Sequence, residues 1–143
     1  MLISTKGRYA LRILVDMAEH QSERYMPLKE IAQRQAISEK YLESIVKALV
    51  KGGILTGLRG KGGGYRLSKP PDQYTVGTIL QMTEGSLAPI SCLEEDAAPC
   101  ARAAECQTLA MWQGLDKVIR EDLDGFTVAD LMQSEQPGDF YVI

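Results

Sequence analysis

Residues 38–69 read SEKYLESIVKALVKGGILTGLRGKGGGYRLSK, and this stretch decides the fold. Ser38 is placed to cap a helix running to about Lys51, with Leu42, Ile45, Val46, Leu49 and Val50 along its inward stripe. Gly52 and Gly53 should stop that helix, because glycine takes the left-handed conformation at a helix C-terminus without a Cβ clash. Beyond them, Ile54–Leu58 and Gly64–Ser68 are strand-like runs flanking RGKGG, which predicts a β-hairpin with a glycine-rich, basic tip. A nucleotide phosphate loop would need its lysine followed by Ser or Thr and a helix; here Lys61 is followed by Gly62 and a strand.

Upstream, Pro27 to about Gln35 reads as a short helix burying Leu28, Ile31 and Ala32, with Pro27 suited to its first position because no N–H is needed there. The break at Ala36-Ile37 joins this helix to the next as a helix-turn-helix. Residues 5–20 predict a preceding helix capped by Ser4 or Thr5. Its Leu11, Leu14, Val15 and Ala18 share one face, which Tyr9, Ile13 and Met17 widen. The expected fold class is mainly α with a small β-hairpin wing: a winged helix-turn-helix followed by a long dimerisation helix.

Charge supports a reader of nucleic acid. The net charge of −3 conceals +6 over residues 1–80 and −9 over residues 81–143. Between Glu43 and Asp72 no acidic residue occurs, whereas Lys47, Lys51, Arg59, Lys61, Arg66 and Lys69 all fall there. A run of this kind on a helix-turn-helix and wing points to double-stranded DNA as partner rather than to a merely solvated face. The outer face of the second helix of the pair carries Glu39, Lys40, Glu43, Ser44 and Lys47. Phosphate contacts are expected from Thr5, Lys6, Lys40, Lys47 and Lys61. Glu43 can accept from a cytosine amino group and would repel phosphate elsewhere, which suits discrimination rather than affinity. At the tip, Gly60 and its neighbouring glycines would let the backbone enter a narrow groove, with Arg59 and Lys61 supplying charge.

After the break at Lys69–Asp72, Thr75 should cap a fourth helix through about Glu84, with Val76, Ile79, Leu80 and Met82 apolar. From about Ala103 a helix of roughly twenty residues is expected, striped by Leu109, Trp112, Leu115, Val118, Ile119 and Leu123. No other helix matches it in length, so it is expected to pair with its copy in a homodimer. Thr127 and Asp130 form a capping-box variant for a last short helix burying Val128, Leu131 and Met132. The tail QPGDFYVI carries no legible motif. The division expected is 1–84 for the DNA-binding domain, 85–102 for a cysteine-containing loop and 103–143 for dimerisation and C-terminal packing.

All three cysteines, Cys92, Cys100 and Cys106, fall within fifteen residues between these halves. No apolar run is long enough to span a bilayer and no signal peptide is legible, so a cytoplasmic protein is expected. An odd cysteine count there favours metal or redox chemistry over a disulfide framework. An iron–sulfur cluster, zinc, or free redox-sensing thiols would each use such a set. A thiol redox enzyme would want a C-x-x-C pair beside a basic group, whereas the spacing here is C-x7-C-x5-C among acids. No enzyme is expected. Glu94, Glu95, Asp96, Glu105 and Gln107 are candidates for a fourth ligand. A helix starting near Ala103 would point its N–H groups at an anionic cluster.

The start STKGRYAL at residues 4–11, YLE at 41–43, the wing RGKGGGYRLSK at 59–69, the three cysteines and C-x-T-x-A-x-W from Cys106 to Trp112 together resemble the winged-helix iron–sulfur cluster regulators, the IscR branch above all. The resemblance covers about residues 1–133. It implies a homodimeric transcription factor whose DNA binding follows the state of a cluster held by Cys92, Cys100 and Cys106. A 2Fe–2S cluster is favoured by the resemblance, and 4Fe–4S is the alternative. It also implies base reading by Ser38, Lys40, Tyr41 and Glu43, with Arg59 in the minor groove. One departure stands out. Where that branch has a ligating histidine, three residues after the third cysteine, this chain has Leu109; where nitric-oxide-sensing relatives use an aspartate, it has Arg8. The single histidine, His20, is expected at the surface. The alternative function is a cluster-free or zinc-binding, thiol-based redox-sensing regulator.

Overall fold

The computed structural model describes residues 3–132. Helix α1 (Thr5–Glu19) is capped by Ser4, whose hydroxyl accepts from the Gly7 N–H at 3.1 Å. Its buried face centres on Ala10, Ile13, Leu14 and Met17, with Leu11 and Val15 half-buried at the margin. Helix α2 (Leu28–Gln35) begins one residue later than expected, Pro27 being its N-cap with extended ψ. The cause lies outside the helix: Met26 and Tyr65 exchange two backbone hydrogen bonds of 2.8 Å, holding the chain extended up to the proline. Ile31 and Ala32 are buried, and Leu28 is only half-buried, beside the wing.

Ala36 makes the turn in the left-handed region at φ 54°, a conformation that costs a non-glycine residue about 1–2 kcal/mol. Helix α3 (Glu39–Lys51) is capped by Ser38 through the Tyr41 N–H. Leu42, Ile45, Val46 and Leu49 are buried as expected. Val50 corrects the expected stripe: it is exposed, because the stripe turns away from the core at the last turn and Val50 faces the wing. Gly53 ends the helix at φ 78°.

Strands β1 (Leu55–Leu58) and β2 (Gly64–Leu67) pair antiparallel, with Leu55 opposite Leu67 and Leu58 opposite Gly64. Leu55 and Leu67 are buried, so the base of the hairpin belongs to the core while its tip projects. Helix α4 (Val76–Glu84) follows, capped by Thr75 through the Thr78 N–H. The adjacent Tyr74 is buried and donates to the Ile54 carbonyl at 3.1 Å.

Helix α5 spans Leu109–Asp124, starting six residues later than expected, since Ala103–Glu105 forms a separate 3-10 turn. No α5 residue is buried within the single chain. Its C-terminal end returns to the body, where Leu123 and, just beyond the helix, Phe126 pack on Val76, Leu80 and Leu87. Helix α6 (Val128–Met132) has the expected reciprocal cap: the Thr127 N–H donates to Asp130 and the Asp130 N–H to Thr127. Val128 is fully buried in the same core as α1 and α3, so the chain's C-terminal segment completes the N-terminal core. The tail at 136–143 lies outside the described residues.

Asp16 is the one buried charged residue among those described. Arg34 of α2 meets it in bidentate fashion, Nε at 3.0 Å from Oδ1 and Nη2 at 2.8 Å from Oδ2, and the Gln35 amide donates at 2.9 Å. Burial pushes this carboxyl upward, but the hydrogen bonds from Arg34 and Gln35 and the Arg34 charge together hold it below the usual value. The pair pins α1 to the first helix of the helix-turn-helix.

Candidate nucleic-acid interface and thiol segment

The outer face of α3 and the wing border one open groove. Glu43, Lys47 and Val50 line it on the helix side and Leu58, Arg59 and Gly60 on the wing side. Cations thus share the groove with two exposed aliphatic side chains, a chemistry suited to phosphates and to base edges or methyl groups. Ser38, Lys40, Tyr41 and Ser44 are exposed on the first turns of α3, and Lys61 is exposed at the wing tip. Thr5 is exposed and Lys6 half-buried at the start of α1.

Several of these groups already have partners. Lys47 Nζ lies 3.2 Å from Glu43 Oε1, an exposed i, i+4 pair that must separate if the two residues are to contact different parts of a duplex. The Ser44 hydroxyl donates to the Tyr41 carbonyl at 2.7 Å, leaving its oxygen as an acceptor. Thr5 accepts from Arg8 at 3.1 Å. The Tyr41 ring meets Tyr9 edge-on with centroids 5.8 Å apart, and the Arg12 guanidinium lies 4.9 Å from the Tyr9 centroid. Arg12 is held in turn by Gln35. Sequence reading assigned Tyr9 only to the apolar face and passed over Arg12; a tyrosine and an arginine one turn apart on a helix were the available signal.

The cysteines are placed differently. Cys92, Cys100 and Cys106 are all exposed thiols in a segment built from the 3-10 turns Ser91–Leu93 and Ala103–Glu105. Among the described residues no set of three or more Cys, His, Asp or Glu converges to hold a metal. The donor types suit a soft metal or cluster, and in the single chain the three thiols stay apart and exposed. Leu109 is the first residue of α5 and half-buried, and His20 hydrogen-bonds the Asp16 carbonyl at 2.8 Å. The later start of α5 corrects the expected dipole: the helix N-terminus lies just after Cys106. There the Thr108 hydroxyl, 3.5 Å from Sγ, and the backbone N–H groups of Thr108 and Leu109 lower the Cys106 thiol below its usual range.

A helix-turn-helix with a wing and a rim of cations defines a DNA-binding transcriptional regulator. The chain belongs to the Rrf2 family, whose sequence model, described as an iron-dependent transcriptional regulator, matches residues 3–134. It is 41% identical to Protein rrf2 of Nitratidesulfovibrio vulgaris over 133 residues, which cover 93% of this chain and 88% of that protein. It is 36% identical to the HTH-type transcriptional regulator IscR of Aliivibrio salmonicida over 132 residues, 92% of this chain and 77% of that one. The solved structure of CymR, the global cysteine regulator of Bacillus subtilis, superposes with a TM-score of 0.75 at 36% identity, covering 95% of this chain and 99% of CymR. The IscR and CymR relatives are named as transcriptional regulators. No helix among the described residues is long and apolar enough to cross a membrane.

Proposed function

We propose that this regulator works as a homodimer on double-stranded operator DNA, with the segment Cys92–Cys106 as its sensory element and an iron–sulfur cluster on the three cysteines as the group it senses. The observation that carries the DNA reading is the shared groove of α3 and the wing, with Lys47 and Arg59 on facing sides. In this reading Ser38, Lys40, Tyr41, Glu43 and Ser44 face the major groove, Arg59 and Gly60 the minor groove, and Thr5, Lys6, Lys47 and Lys61 the phosphates. Lys47→Ala should then weaken binding across operator sequences alike and lower the slope of log affinity against log salt by about 1. A salt titration with an unchanged slope would remove Lys47 from the interface.

The cluster reading is supported by the donor chemistry of three thiols in one segment and by the similarity to IscR. A bound cluster would supply an oxidant-sensitive anionic group between the DNA-binding body and α5. Anaerobic purification should yield coloured protein with iron and acid-labile sulfide, both lost when Cys92, Cys100 and Cys106 are replaced by alanine. Colourless protein carrying zinc, or no metal, would sink this reading. A second reading has its own observation: Cys106 is exposed and its thiolate is favoured by Thr108, which suits direct thiol sensing without a cluster.

A further inference from the structure

Glu84 closes α4 and is the last helical residue before the segment that carries the cysteines. Its carboxylate returns to the other end of the body. Oε1 accepts from the Ser4 backbone N–H at 3.1 Å and from the Ser4 hydroxyl at 2.6 Å, the latter in the short range of charge-assisted bonds. The same hydroxyl oxygen accepts from the Gly7 N–H, so the group that caps α1 is itself held by Glu84. A carboxylate there also complements the positive end of the α1 dipole.

The contact needs Gly7. A Cβ at that position would run into Glu84 Oε1 and would meet Leu80 Cδ2 at 3.1 Å and Thr83 Oγ1 at 3.2 Å. Glycine is therefore what lets α4 lie against the first turn of α1. On its outer side, Glu84 shares an open notch with Ile3 and with Pro89, Ile90 and Ser91. Ser91 directly precedes Cys92, and Thr5 and Lys6 directly follow Ser4. The cysteine segment and the proposed phosphate contacts of α1 thus meet across one carboxylate.

The geometry points to Glu84 as a positioning residue: it holds the first turn of α1, and with it Thr5 and Lys6, where they meet a DNA phosphate, and it passes rearrangements of the cysteine segment on to them. This rests on the operator-binding reading above. The sign of one effect separates positioning from simple electrostatics. As a negative charge near phosphate, Glu84 should oppose binding, and its removal should tighten the complex. As a positioning group, its removal should loosen it.

The test uses the full chain and a duplex selected by the wild-type protein from a random pool. Losing two bonds to a charged acceptor, E84A should weaken binding about tenfold and speed hydrogen exchange at the Gly7 amide. E84Q keeps an acceptor oxygen and should restore most of both. Alkylating the thiols with iodoacetamide should change the affinity of the wild type and leave that of E84A unmoved. If E84A binds as tightly as the wild type or tighter, or if alkylation shifts both proteins equally, the inference is overturned. If the wild-type protein selects no sequence from the pool, the operator-binding reading fails, and this inference with it.

Discussion

Replacing Leu115 and Val118 together with glutamate is expected to convert the proposed dimer into a folded monomer that no longer holds its operator. Met111, Leu115 and Val118 are 57%, 42% and 62% exposed and recur at i, i+4, i+7, which makes a continuous apolar seam along α5. In a twofold interface each substitution acts twice, once from each copy. Fully burying a leucine or valine side chain contributes about 1.5–3 kcal/mol, and about half of each remains exposed on α5, so the four replaced side chains amount to about 3–6 kcal/mol, or about two to four orders of magnitude in dimer dissociation. Neither side chain supports the core of its own chain, so the circular dichroism spectrum should be retained. Operator affinity should fall at least a hundredfold, because each monomer reaches one half-site. Sedimentation checks the mass, and a variant that remains a dimer would refute α5 as the seam.

Asp16→Ala should be strongly destabilising to the body of the protein. It leaves Arg34 without its bidentate partner and Gln35 without its acceptor, at a cost of about 3 kcal/mol in urea unfolding. The pH dependence has a definite sign. The Asp16 carboxyl lies below its unfolded value, so its contribution is complete above the unfolded pKa of about 4 and is lost as pH falls through the lower folded value. Wild-type stability should therefore decline below about pH 4 more steeply than that of Asp16→Ala. A cost under about 1 kcal/mol, with parallel acid limbs, would show that the pair contributes little. Because Arg34 and Gln35 close α2, the functional consequence would be a loosened angle between α1 and the helix-turn-helix.

Much of the fold was legible because its signals are local. A serine or threonine followed three residues later by the N–H it caps accounts for the starts of α1, α3 and α4. The Thr127–Asp130 box accounts for α6, and glycine at Gly53 for the end of α3. The candidate DNA residues were legible for the same reason: α3 and the wing are contiguous in the chain, so a helix followed by a hairpin brings Lys47 and Arg59 to one groove. Boundaries set by distant partners were not legible. The late start of α2 follows from the Met26–Tyr65 bridge, and the exposure of Val50 from where the wing lies.

Sequence alone therefore determined the order of elements, the basic and acidic halves, the winged helix-turn-helix and the apolar stripe of α5. Each depends on residues within one or two turns of one another, where periodicity and caps act. Tertiary structure decided which charges are buried together and which ends of the chain touch. Asp16 finds Arg34 across 18 positions and Ser4 finds Glu84 across 80, the second where Gly7 lets α4 approach the first turn of α1. The cysteines show the same division: their grouping is a property of the sequence, whereas their exposure on a segment of 3-10 turns is a property of the tertiary structure.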